Sequence, residues 1–194
     1  MIYIEKIISK LFLYYNRLKF KANRIVTGKN LTVMDSIYIR KSTTASITIG
    51  NNFRFFSGKG FNPLARNIRG GIYAEENAVI QIGNNVGISS SCIWAHTSIK
   101  IGNNVNIGGD CILLDSDGHS LNFIDRRTPI EDIKNKRNAP IQIDDDVLIG
   151  TRSIILKGVH IGARAIIGSG SVVTKDIPAD CIAAGNPCKI IKIK

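Results

Sequence analysis

The sequence predicts an all-β solenoid, a parallel β-helix built from six-residue repeats. An aliphatic or small residue returns at every sixth position over the stretch Ile143, Ile149, Ile155, Ile161, Ile167, Val173 and Ala179. Glycine often follows it, and the fifth position of each repeat is small or β-branched. A helix would need apolar spacings of three and four, and a hairpin meander would alternate at two. A short period with regular glycine is instead typical of stacked coils that bury their apolar edges against each other.

The sequence predicts an amphipathic helix over about residues 3–23. It lies in an N-terminal segment, residues 1–25, that precedes the solenoid. Its apolar face comprises Ile4, Ile7, Ile8, Leu11, Tyr15 and Leu18. Its basic residues are Lys6, Lys10, Arg17, Lys19, Lys21 and Arg24. No apolar run approaches the ~20 residues of a membrane-spanning helix. Two compatible roles remain open, which are a cap over the open end of the solenoid and a basic interfacial helix on an anionic membrane.

Residues 26–191 form the predicted solenoid domain. The repeat begins weakly at Leu31, breaks into an irregular glycine-rich stretch over residues 57–71, and resumes at Ile82. A slip of one residue between Trp94 and Lys100 predicts a bulge or short loop near His96. The tail after Pro178 is expected to pack back along the outside of the solenoid.

A protruding loop interrupts the repeat over residues 119–140. The chain leaves the pattern after Leu113, runs through a polar and charged stretch, and rejoins it in phase at Ile143. Long loops within compact solenoids usually carry function.

Charge and cysteine content limit the classes of partner. The chain has 194 residues and a formal net charge of +11, which favours an anionic partner such as nucleic acid, anionic lipid or a phosphorylated cofactor. No nucleic-acid-binding motif is present, so we expect no nucleic-acid partner. The four cysteines have no CxxC spacing, and no secretory leader precedes them, which predicts core thiols in a reducing cytoplasm.

The best candidate for chemistry is His119, in the sequence DSDGHS at the start of the loop. In an extended segment Asp115, Asp117 and His119 would point to one side. A carboxylate beside an imidazole fixes its tautomer and stabilises its protonated form, as a general base requires. The alternative is a solvated histidine in a turn. His96 is interpreted as part of a site wall or as structural, and His160 as an exposed surface residue.

The hexads, the DSDGHS motif and the AGNP sequence after the last coil together resemble the hexapeptide-repeat acyltransferases. The resemblance covers residues 31–191 and is closest to the branch that acetylates sugars of capsules, lipopolysaccharides and other surface glycans. It implies a left-handed β-helix, a homotrimer with active sites between subunits, and acetyl-CoA as co-substrate. It also implies that His119 is the general base, with Asp117 or Asp115 as its orienting carboxylate.

The resemblance further implies which residues contact the substrates. Coenzyme A contacts fall on Thr151, Ser169, Thr174, Lys175 and Lys189, and acceptor contacts on Trp94 and His96. Leu148 departs from the family pattern, in which many relatives have tryptophan, so one wall at the thiol end is less aromatic here.

The function expected is acetyl transfer from acetyl-CoA to a sugar hydroxyl of a surface-glycan precursor, including one built on a lipid carrier, at the cytoplasmic face of the membrane. The alternatives are N-acetylation of an amino sugar and a non-catalytic binding scaffold. The sequence does not resemble the gamma-class carbonic anhydrases, zinc hydratases with the same solenoid, because their pattern has two histidines five residues apart and the histidine spacings here are 23 and 41. No metal is therefore expected.

Overall fold

The computed structural model describes residues 2–61, 64 and 68–193, and it is a parallel β-helix with three sheets. The chain turns a corner after each short strand, so consecutive strands enter different sheets. Sheet A contains β1 (Val26–Thr27), β4 (Ser46–Ile49), β7 (Val79–Ile82), β10 (Ser98–Ile101), β13 (Ile141–Ile143) and β16 (His160–Ile161). Sheet B contains β2 (Thr32–Met34), β5 (Arg54–Phe56), β8 (Gly87–Ser89), β11 (Asn106–Ile107), β14 (Leu148–Ile149), β17 (Ile166–Ile167), β19 (Cys181–Ala184) and β20 (Lys189–Ile193). Sheet C contains β3 (Tyr38–Lys41), β6 (Gly71–Ala74), β9 (Cys92–Ala95), β12 (Ile112–Leu114), β15 (Ile154–Leu156) and β18 (Val172–Val173).

Identical positions of successive coils stack above one another. In sheet A the pairing is parallel and aligns Ile47, Ile80, Ile99 and Ile141 into one column. All four side chains are at most 1% exposed. This column explains the period, because each coil covers the apolar edge of the next one.

The repeat positions from Ile143 to Val173 are buried as predicted. The expectation for Ala179 was wrong, because this residue is exposed. The last coil closes early through a bridge between Ile177 and Ile161, and Cys181 and Ala183 then supply the buried side chains.

Glycine and asparagine shape the corners. A Cβ atom on Gly102 would overlap Asp145 Oδ1, so only glycine allows the coils to approach this closely. Asparagines recur at the same corner, where Asn52, Asn85 and Asn104 have φ angles of 57–58°. Their side-chain amides form a ladder, with hydrogen bonds of 2.7 and 2.9 Å between successive coils.

Helix α1 spans Ile2–Ala22 and closes the first coil. Phe20 is 2% exposed and Asn16 is fully buried. The Asn16 side chain donates to the Asp35 carbonyl at 2.7 Å, and Lys19 Nζ donates to the Ile37 carbonyl at 2.5 Å. The helix is therefore a cap, but the face that caps is not the apolar face that the sequence indicated. Leu11 and Leu18 of that face are exposed, and the side chains of Ile4 and Ile7 lie outside the described residues.

Two further segments depart from the coils. A short helix α2 (Gly58–Phe61) lies in the stretch predicted to be irregular, and Pro63 of that stretch lies outside the described residues. The tail returns as β20, antiparallel to β19, and extends the end of sheet B. No helix in the described part of the chain is long and apolar enough to cross a membrane.

Candidate active site

The predicted loop leaves the solenoid after β12 and returns at β13, at the corner between sheets C and A. Its stem is a short antiparallel ladder, in which the Asp117 N–H donates to the Arg137 carbonyl and the Ala139 N–H donates to the Asp115 carbonyl, both at 2.9 Å. Beyond the stem are a 3₁₀ turn (Asp125–Arg127) and helix α3 (Pro129–Asn135). The stem fixes the base of the loop to the solenoid, and α3 folds its first turns back toward the stem.

His119 forms a histidine–carboxylate pair with Asp132 of α3. The two atoms His119 Nδ1 and Asp132 Oδ2 are 2.6 Å apart. The His119 side chain is 73% exposed, whereas that of Asp132 is 13% exposed. The hydrogen bond with His119 and the bond from the Ser120 N–H lower the pKa of the Asp132 carboxyl. An ionised Asp132 accepts the Nδ1 proton, so the Nε2 lone pair is the one that can accept a substrate proton.

The loop around this pair is held by a second carboxylate. Ser120 donates its backbone N–H to Asp132 Oδ1 at 2.7 Å and its hydroxyl to Asp125 at 2.7 Å. The Arg126 guanidinium donates to the Ser120 carbonyl at 2.6 Å. These hydrogen bonds hold the turn at Ser120 in place, and with it both His119 and Asp132.

The expectation that Asp115 or Asp117 orients His119 must be corrected. Asp115 is buried and accepts the backbone N–H groups of His96, Thr97 and Ser98 at 2.6–2.7 Å. Asp117 Oδ1 instead pairs with Lys157 at 3.0 Å. The physical reason is Gly118, whose φ of 75° reverses the chain after Asp117, so that the segment is not extended and His119 turns away from both carboxylates.

His96 lies at the tight corner that the register slip predicted. Its Nδ1 accepts a hydrogen bond from Lys136 Nζ at 3.0 Å, which leaves the proton of a neutral ring on Nε2. Nε2 is buried and has no hydrogen-bond partner among the described residues. Burial and the Lys136 charge lower the pKa of His96. The ring is therefore neutral at pH 7.

Aromatic and charged side chains form a column on the outer face of sheet C next to His96. The Trp94 ring lies 5.2 Å from the His96 ring and 6.1 Å from the Tyr73 ring, centroid to centroid. The Arg40 guanidinium lies 5.5 Å from the centroids of both Tyr73 and Trp94. Glu75 accepts from Trp94 Nε1 at 2.8 Å and from Arg40 at 2.7 Å. Burial raises the pKa of the Glu75 carboxyl, but these two partners outweigh it and the net pKa is lowered.

The five residues expected to contact coenzyme A fall on two different corners. Thr151 and Ser169 follow β14 and β17 at the corner between sheets B and C, and Lys189 pairs with Ala184 at the same edge. Thr174 and Lys175 follow β18 at the corner between sheets C and A. That second corner is the one from which the His119 loop emerges.

His160 is exposed, as expected, and forms its own pair with Asp144 at 2.8 Å on the outer face of sheet A. Sequence reasoning missed Asp132, Lys136 and Glu75. The signal that could have located Asp132 is the sequence TPIED, because threonine before proline and two acidic residues is typical of a helix N-terminus. No group of three histidine, cysteine, aspartate or glutamate side chains suited to a metal ion occurs within the described ranges.

The six-residue coils match a known family model over part of the chain. The family model described as "Bacterial transferase hexapeptide (six repeats)" matches residues 140–175. The chain thus carries the hexapeptide repeat of these transferases, and the predicted resemblance and left-handed parallel β-helix are confirmed.

The relatives are similar to this chain over different lengths. The 2,3,4,5-tetrahydropyridine-2,6-dicarboxylate N-acetyltransferase of Staphylococcus aureus (strain Newman) is 52% identical over 54 residues, which cover 28% of this chain and 23% of that protein. The match thus spans less than a quarter of that relative.

Among solved structures, a galactoside acetyltransferase in complex with coenzyme A has a TM-score of 0.55 at 28% identity, covering 87% of this chain and 64% of that one. AntD, an N-acyltransferase from Bacillus cereus in complex with dTDP and 3-hydroxybutyryl-CoA, has a TM-score of 0.68 at 21% identity, covering 92% of this chain and 88% of that one. This second likeness concerns the fold alone.

Proposed function

We propose that the protein transfers an acetyl group from acetyl-CoA to a hydroxyl of a sugar in a surface-glycan precursor. The observation that carries the proposal is the pair of His119 and Asp132, 2.6 Å apart on the loop. The coenzyme A complex of the similar galactoside acetyltransferase supports the choice of donor.

In the proposed mechanism His119 Nε2 removes the proton of the acceptor hydroxyl as its oxygen attacks the thioester carbonyl. A backbone N–H stabilises the negative charge of the tetrahedral intermediate. The carbon–sulfur bond then breaks, the proton leaves His119 for the thiolate, and free coenzyme A and the sugar ester result. Asp132 keeps its negative charge throughout and stabilises the imidazolium.

We propose that the active enzyme is a homotrimer with the donor held between subunits. His119 lies at one end of the sheet C strands, at the corner with sheet A. The contacts expected at Thr151, Ser169 and Lys189 lie at the other end, at the corner with sheet B, which supports a site completed by a second chain. The loop also exposes large apolar side chains, namely Leu121, Phe123, Ile124, Ile130 and Ile133, each more than half exposed. Light scattering should give three times the chain mass, and a monomer at micromolar concentration would contradict this assembly.

We propose that the acceptor sugar binds to the column formed by Trp94 and Tyr73 beside His96. An aromatic face with a carboxylate and a guanidinium at its edge can stack against a sugar ring and bond its hydroxyls. Trp94 is the single tryptophan of the chain, so its fluorescence reports this face alone. Acceptors should change that emission in the wild type and in His119→Ala, and an unchanged emission at saturating acceptor would refute the assignment.

We place the reaction in the cytoplasm, where acetyl-CoA is available. All four cysteines are free thiols, which suits a reducing compartment.

N-acetylation of an amino sugar is the second candidate, favoured by the N-acetyltransferase that is similar to this chain over 54 residues. The acceptor atom decides between the two. A product whose acetyl group is released by hydroxylamine is an ester and supports O-acetylation, whereas a resistant amide supports the second candidate.

The decisive experiment replaces each exposed histidine that is paired with an aspartate. His119→Ala should lower turnover at least ~100-fold, the usual size of a general-base effect, with coenzyme A affinity little changed. His160→Ala is the matched control, because His160 forms a similar 2.8 Å pair on sheet A. It should retain full activity. Wild-type turnover in His119→Ala would refute the proposal.

A further inference from the structure

We propose that the exposed side of helix α1 binds the surface of an anionic lipid bilayer. Ile8, Leu11, Tyr14, Tyr15 and Leu18 form this side, which we call the outer stripe, and they are 39–66% exposed. Positions 8, 11, 15 and 18 follow the three- and four-residue spacing of one helix face. Isolated exposed apolar residues are ordinary, but a contiguous stripe of five indicates a contact surface.

The cap does not use the outer stripe. Helix α1 contacts the solenoid through Asn16 and Phe20, which are one turn apart and buried. At about 100° per residue, Leu11 and Leu18 lie roughly 160–180° around the helix from Phe20. The helix can therefore close the first coil and present its outer stripe to another surface at the same time.

Basic side chains lie beside the stripe. Lys10, Arg17 and Lys21 are exposed along one edge of the helix. Arg17, Lys21 and the exposed Lys29 of the first coil line a cavity of about 430 Å³ between the helix and the solenoid. None of these basic side chains forms an ion pair with any described residue. A pocket with three cations at the margin of an apolar stripe fits the phosphate of a lipid headgroup.

The positive charge favours a bilayer over a second copy of this chain as the partner of the outer stripe. Two such helices in contact would bring their basic edges together in a protein whose net charge is already +11. An anionic leaflet attracts the same residues. Tyr14 and Tyr15 also suit the boundary between headgroups and acyl chains, since each has an apolar ring and a polar hydroxyl. The inference is independent of the proposed acetyl transfer.

The experiment is vesicle flotation of the full-length protein. Removal of α1 is avoided because it would uncover the first coil. Vesicles of equal parts phosphatidylglycerol and phosphatidylcholine are compared with pure phosphatidylcholine. The wild type should float with the anionic vesicles, and high salt should release it. Leu11→Ser with Leu18→Ser should weaken binding at least about tenfold, and so should Lys10→Gln, Arg17→Gln and Lys21→Gln together.

The matched control is Ile191→Ser with Ile193→Ser on β20, where both side chains are also exposed, at 67% and 73%. It should float like the wild type. The thermal midpoint and light scattering of each variant show whether fold and assembly are intact. Failure of the wild type to float, or equal flotation of the serine variant of the stripe, overturns the proposal. Loss of the oligomer in that variant would also overturn it, because the stripe would then be a subunit contact.

Discussion

The substitution Asp132→Asn tests whether the carboxylate found beside His119 orients a catalytic base. Asp132 Oδ1 accepts the Ser120 N–H at 2.7 Å, and Oδ2 lies 2.6 Å from His119 Nδ1. Asparagine has the same shape, and its oxygen can keep the bond from Ser120. Its NH₂ group then faces Nδ1, which must become the acceptor, so the ring proton moves to Nε2. An imidazole protonated on Nε2 cannot take the proton of a hydroxyl.

The expected loss of turnover is about 100-fold. General-base catalysis contributes roughly 10²–10⁴-fold. The lower end applies because the His119 side chain is 73% exposed, so water lets the ring rotate and exchange tautomers. The KM for acetyl-CoA should change little, because Asp132 lies on the loop and not on the coils expected to hold the donor.

The assay is release of free coenzyme A thiol at saturating substrates. Asp117→Asn is the matched control, because Asp117 pairs with Lys157 at 3.0 Å rather than with His119. It should stay within about threefold of the wild type. Combining Asp132→Asn with His119→Ala should cost no more than His119→Ala alone, since the two residues act as a unit. Turnover of Asp132→Asn within twofold of the wild type, or an equal loss in Asp117→Asn, would refute the reasoning.

Three further predictions concern stability. Burial and the neighbouring ammonium lower the pKa of His96, so below about pH 6.5 the unfolded chain binds a proton that the folded chain does not. The free energy of unfolding of the wild type should therefore fall between pH 7 and pH 5. In His96→Asn this free energy, measured by urea unfolding, should depend less on pH, by an amount that corresponds to at most one bound proton. Gly150→Ala should destabilise by about 1–3 kcal/mol, because a Cβ there would lie 2.5 Å from Ser169 N. Gly60→Ala, where a Cβ meets nothing within 4 Å, should leave the thermal midpoint unchanged. Phe20→Ala should lower the free energy of unfolding by about 3 kcal/mol, since this capping side chain is 2% exposed, and an unchanged midpoint would mean that the helix does not close the solenoid.

The sequence by itself determined the solenoid and where it is interrupted. A coil buries its apolar edge only against its neighbours, so the same residue type must return at every sixth position, as at Ile143 and Ile149. Close contact between coils likewise requires glycine at corners such as Gly102. Every coil is subject to the same constraints, so they produce a regular spacing of residue types in the sequence. The position of His119 at the start of a loop followed from the place where that spacing stops.

Only the tertiary structure decided which groups meet. Asp132 reaches His119 because α3 folds back across thirteen residues, and Gly118 turns the chain away from the nearer carboxylates. Likewise, the hydrophobicity of α1 marks its outer stripe as apolar, yet Phe20 makes the contact with the solenoid. The physical reason is that periodicity records the environment of each coil, whereas a loop contact or a docked helix face depends on how distant segments fit together. Contacts of this kind join residues at no regular spacing, so no repeat in the sequence predicts them.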